Sequence, residues 1–95
     1  MVNIIWADVA VEDLQHIFQF IAIDSPKYAQ QQVDRIINRV DQLEQFPQSG
    51  RVVPEFNNPQ IRELIEGQYR IVYQIDQLDV LIARVHHAAR PLGDF

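Results

Sequence analysis

Two stripes of apolar residues lie on either side of Asp24-Ser25-Pro26 and restrict the chain to few folds. Val11, Leu14, Ile17, Phe18, Ile21 and Ala22 precede it; Ala29, Val33, Ile36, Ile37, Val40 and Leu43 follow, with Phe46 extending the second stripe. Spacings of three and four place each set on one face of a helix. They predict a helix over residues 8–23 and another from Pro26 to about Phe46, stopped by Pro47. Asp8 is the expected N-cap of the first, with Glu12 and Asp13 at the positive end of its dipole. Ser25 is the expected N-cap of the second, and Pro26 fits the first helical position, where its missing N–H costs nothing. A junction this short makes an antiparallel hairpin. Each helix has one apolar face, so a third surface must cover the pair.

The remaining sequence supplies that surface as β-structure. Residues 2–6 read as a short strand, and residues 61–66, 69–76 and 79–87 as three more. Gly67-Gln68 and Gln77-Leu78 are two-residue turns between them. Residues 48–60, with Gly50, Pro54 and Pro59, show no period and read as a loop of a length that is often functional. The prediction is one α+β domain over residues 1–95, ordered β-α-α-β-β-β, with the helical hairpin on a mainly antiparallel four-stranded sheet. Two-residue turns fix the register. Arg62, Leu64, Tyr69, Ile71, Tyr73, Ile75, Val80, Ile82, Arg84 and His86 then share one face, the more apolar, expected under the helices. Ile61, Glu63, Ile65, Arg70, Val72, Leu81, Ala83, Val85 and His87 share the other, expected to be partly open and to present Arg70 and His87. Trp6 is expected as a core anchor.

Composition removes several functions. The chain has 95 residues and no cysteine, which excludes disulfides, a thiol nucleophile and Cys-built metal sites. Adjacent strand residues point to opposite faces, so His86 and His87 do not share a metal ion; no metal or cofactor is expected. His16, on the polar helix face, is expected to be solvated. No apolar run reaches the ~18 residues of a membrane span. The N-terminus has no basic region and reaches acid at Asp8, so no signal peptide is expected; the expected location is the cytoplasm. The net charge is −5, which disfavours nonspecific nucleic-acid binding. Residues 1–50 carry 3 basic and 7 acidic side chains, residues 51–95 carry 5 and 6. All five basic residues of the second half are arginines, the side chain suited to bidentate carboxylate or phosphate contacts.

Several blocks together resemble the RelE/ParE superfamily of type II toxin–antitoxin toxins. They are Trp6 with Asp13-Leu14; Asp24-Ser25-Pro26; Phe46-Pro47 with Gly50-Arg51; Val53-Pro54-Glu55; Ile61-Arg62-Glu63; Tyr69-Arg70-Ile71-Val72-Tyr73; and Ile82-Ala83-Arg84-Val85-His86-His87 with Arg90. They run in the family's order over nearly the whole chain. The resemblance is closest to the ParE, or plasmid-stabilisation, branch.

The resemblance implies a growth-arresting toxin held inactive by a small antitoxin, usually encoded beside it, with a toxin–antitoxin heterotetramer among the assemblies it implies. ParE-like members inhibit DNA gyrase and are not nucleases. RelE- and YoeB-like members are ribosome-dependent endoribonucleases that cut messenger RNA. A metal-free nuclease needs a base, a group to hold the phosphorane charge, and an acid. The candidates are Glu55 or a histidine as base, Arg70 as charge holder, and His86 or His87 as acid; the resemblance points to Arg70 and Glu55, and puts His87 near the family's C-terminal catalytic histidine. Against it, residues 88–95 hold no tyrosine of the kind that accompanies the YoeB-like histidine, and Lys27 is the only lysine. The acidic balance, the single lysine and the ParE-like blocks favour the gyrase reading. Arg51, Arg62, Arg70, Arg84, His86 and Arg90 are then candidates for target or antitoxin contact. A degenerate toxin acting only as a binding protein is the third reading.

Overall fold

The computed structural model describes residues 1–89. β1 (Asn3–Trp6) leads into α1 (Asp8–Ala22) and α2 (Pro26–Asp41), which ends in a 3-10 turn at Gln42–Glu44. β2 (Arg51–Val52), β3 (Ile61–Glu66), β4 (Tyr69–Asp76) and β5 (Asp79–His87) complete the elements of the described residues. The sheet has five strands in the order β1-β5-β4-β3-β2, with β1 parallel to β5 and the other pairs antiparallel. The α+β class and element order match expectation, and the strand count is corrected from four to five. The extra strand lies within the predicted loop. Two residues are too few to show an alternation, so β2 carries no period that a sequence reading detects.

The helix junction forms as its residues dictate. The Ser25 hydroxyl accepts the Tyr28 N–H at 3.2 Å, and Pro26 opens α2. At α1 the N-cap is Ala7, which makes no side-chain cap bond, and Asp8 is the first helical residue. Asp8 therefore acts on the helix dipole and not as a cap.

The core lies between the hairpin and one sheet face. Ala10, Ile17, Ile36, Val40 and Leu43 meet Leu64, Tyr69, Ile71, Tyr73, Val80, Ile82 and Val85, with Trp6, Leu14 and Ile21 partly buried against them. Ile36 is fully buried whereas Ile37 is 37% exposed, so the apolar stripe of α2 centres on the former.

Both turns have two residues, with Gly67 at φ +60° and Gln77 at φ +54°. The register of β3 on β4 matches expectation: Ile65 faces Arg70, and Glu66 faces Tyr69. The far half of β5 does not. Tyr73 pairs with Ile82, but Val72 pairs with Arg84, so Ala83 is one residue too many on β5. This bulge exchanges the sides of everything beyond it. Val85 and His87 join the helix-covered face beside Ile71 and Tyr69, and His86 moves to the face of Arg70, while Arg84, at the bulge, still reaches Asp13 of α1. The expected placement of Val85, His86 and His87 is thus reversed.

Residues 53–60 cover part of the open face. Val53 is buried against Val72 and the partly buried Ile61. The loop's base is pinned by buried Tyr73, whose hydroxyl donates to the Pro47 carbonyl at 2.8 Å and accepts the Gly50 N–H at 2.9 Å. Burial pushes the Tyr73 phenol above its ordinary pKa. A Cβ on Gly50 would lie 2.6 Å from both the Glu63 carbonyl oxygen and the Tyr73 hydroxyl. Gly50→Ala is therefore expected to cost about 1–3 kcal/mol, read by urea unfolding, because one of those partners must move.

Candidate functional site

The open face carries a chain of charged side chains drawn from four segments. Arg51 on β2 pairs in register with Glu63 on β3, and Arg70 on β4 lies diagonally across from Glu63. Glu63 is 1% exposed and Arg70 7%. Buried charges persist only when paired, and both are. One Glu63 oxygen takes the Arg70 Nε at 2.6 Å and the other takes the Arg51 Nε. The outer edge of the Arg70 guanidinium meets Glu55 from the covering loop, Nη1 to Oε2 at 2.9 Å and Nη2 to Oε1 at 3.1 Å. The result is a fork-to-fork pair placed over a buried one.

Electrostatics follows the geometry. The hydrogen bonds from Arg70 hold the Glu55 carboxyl below the ordinary carboxylate range, and those same bonds raise the Arg70 guanidinium further. A depressed acid contributes stability above its unfolded pKa, near ~4.3 for Glu, and loses it as pH falls through the lower folded value. Glu55→Gln is therefore expected to lower Tm at neutral pH. The difference from wild type should shrink to nothing as acid protonates Glu55. Thermal melts of both proteins from neutral pH to about pH 2 check this; a constant offset would contradict it.

The other sequence candidates lie apart. His87 is on the helix-covered face, ring to ring with Tyr69 at 5.7 Å, its Nε2 3.3 Å from the Gln68 side-chain oxygen. It does not join Glu55 and Arg70; His86 is the residue opposite Arg70 in register. Arg62 ties the loop's ends by donating to the carbonyls of Pro59 and Gly50, both at 3.0 Å, and of Gln48 at 3.3 Å. Arg84 forms a fork with Asp13 of α1 at 2.8 and 3.1 Å, which raises its pKa. The same carboxylate accepts the Val85 N–H at 2.9 Å, so Asp13 fastens α1 to β5 just past the bulge. Arg90 lies outside the described residues. Arg51, Arg62, Arg70 and Arg84 are each bound within the fold. Sequence reading gave Glu63 and Asp13 no role at this level. Each signals only as an acid whose partner is distant in sequence, which spacing does not reveal. Among the described residues no three His, Cys, Asp or Glu side chains converge to hold a metal ion.

Residues 4–92 match the profile of the ParE toxin of the type II toxin–antitoxin system, parDE. The chain belongs to the ParE toxin family. The toxin is also 33% identical over 91 residues to Toxin RelE2 of Caulobacter vibrioides, covering 95% of this chain and 99% of that one. Its fold resembles a chain of the chromosomal ParDE system from P. aeruginosa, with a TM-score of 0.76, 23% identity, and coverage of 92% and 96%. It also resembles a chain of the RelBE2 toxin–antitoxin complex from Mycobacterium tuberculosis, with a TM-score of 0.58, 23% identity, and coverage of 95% and 97%. The toxin is thus a type II toxin of the RelE/ParE superfamily. Among its described residues no helix is long and apolar enough to cross a membrane.

Proposed function

We propose that the toxin arrests growth from the cytoplasm by binding a protein target, DNA gyrase, and is neutralised by a small antitoxin. The observation that carries this reading is the state of Arg70. Its guanidinium is already bound on both edges by Glu55 and Glu63, and His87 is on the opposite face. Of Glu55, Arg70 and His87, the histidine thus lies apart from the other two, and the Arg70 donors are committed within the fold, which supports a role other than holding a phosphate's charge. The net charge of −5 also suits a protein target better than RNA, whose phosphates demand Lys and Arg.

A second reading, ribosome-dependent messenger RNA cleavage, has its own support. Glu55 and Arg70 are in direct contact, His86 lies across from Arg70, and one relative is named RelE2. Both readings predict arrest on expression and relief by the antitoxin. Induced expression, alone and with the small protein encoded beside it, tests that shared part. Arrest relieved by the second protein is expected; no arrest would favour a degenerate, purely binding protein.

A further inference from the structure

Past Trp6 the outer edge of β5 has no strand beside it among the described residues: β1 ends there, paired with Ile82, and the chain turns into α1. Along the paired part, the Asn3 and Ala7 N–H groups donate to the carbonyls of Leu78 and Ile82. Even-numbered residues of β5 therefore turn their backbone groups outward, and unbroken alternation would turn the Arg84 N–H outward next. It is the Val85 N–H that faces out, donating to Asp13 of α1 at 2.9 Å. The alternation has shifted by the one residue that the bulge at Ala83 adds. Asp13 thus takes a backbone donor that only the bulged register places there. Its side chain is 12% exposed, so little water competes for the bond. The same carboxylate takes the Arg84 Nε at 2.8 Å and Nη2 at 3.1 Å.

We infer that Asp13 selects the register of the end of β5, and so decides which histidine stands on each side of the sheet. With the bulge in place, His86 is opposite Arg70 and His87 lies against the Tyr69 ring. Without it, the two-residue turn would put Val85 opposite Arg70, His86 opposite Tyr69, and His87 on the face of Arg70. Pairing as far as Tyr73 with Ile82 is common to both registers. The bulged one buries Val85 in the core but turns its N–H to an edge that no strand covers. A buried N–H without an acceptor is costly, and Asp13 removes that cost in the bulged register alone. Asp13 therefore acts through β5, as a positioning residue for the groups around Arg70, whichever target the toxin binds.

Solution NMR of the toxin and its Asp13 variants tests this. In the wild type the Val85 amide is expected to exchange slowly, and the His87 and Tyr69 rings to show a mutual Overhauser contact. Asp13→Ala is expected to speed Val85 exchange at least about tenfold and to lose the ring contact, while the amides that pair β3 with β4 stay protected. A loss of stability alone would not move the ring contact. Asp13→Asn keeps an oxygen that accepts an N–H and is expected to restore both signals. Arg84→Gln removes the ion pair but leaves the acceptor; it is expected to keep both signals, and with Asp13→Asn it carries the test if Asp13→Ala unfolds. Both signals unchanged in a folded Asp13→Ala, or both lost in Asp13→Asn or Arg84→Gln, would overturn the assignment.

Discussion

Ile36→Asp is expected to leave no folded toxin at 25 °C, whereas Ile37→Asp on the adjacent position is expected to fold. Ile36 is fully buried in the core between α2 and the sheet. Losing its apolar contacts costs about 2–5 kcal/mol. An unpaired carboxylate in the same place adds several more. The sum approaches the whole stability of a small domain, roughly 5–15 kcal/mol. Ile37 turns partly to solvent, where a carboxylate keeps its water. Circular dichroism and melting of the two variants check the pair. Equal melting temperatures would mean that α2 is rotated from the orientation described.

Arg70→Ala is expected to destabilise the toxin by about 3–5 kcal/mol, because it leaves the Glu63 carboxylate buried with only Arg51 as partner. The Glu55 carboxylate would also lose its fork. A double replacement, Arg70→Met with Glu63→Leu, is expected to recover much of the loss, since apolar residues of similar volume often replace a buried pair at little cost. Urea unfolding of the single and double variants measures both. This bears on function directly. Loss of toxicity in Arg70→Ala alone would not separate a binding or catalytic arginine from a structural one. A stable double variant that has lost toxicity would assign the guanidinium to target contact or chemistry, and one that stays toxic would leave it as a structural cation.

Local chemistry made much of the fold legible before the structure. Ser25-Pro26 marks the start of α2, and the three long strands begin and end where their apolar and turn residues place them. What escaped depends on tertiary pairing. The bulge at Ala83 has no glycine or proline to announce it, yet it reverses three side chains and separates His87 from Arg70. Choosing between Ile36 and Ile37 requires knowing the angle at which α2 meets the sheet. β2 exists because Arg51 and Val52 pair with Glu63 and Arg62, not because of any pattern of their own. At the site, Arg70 and Glu55 were visible as residue types. The buried Glu63 that joins Arg70 to Arg51 was not, since an acid in a strand more often faces water.

The central claim is that this toxin acts on a protein and not as a nuclease. Purified toxin assayed in parallel for inhibition of gyrase supercoiling and for cleavage of messenger RNA on programmed ribosomes tests it most directly. The account predicts that supercoiling is inhibited, that added antitoxin restores it, and that the messenger RNA stays intact. Cut messenger RNA with normal supercoiling, abolished by a stably folded Arg70 variant, would contradict it.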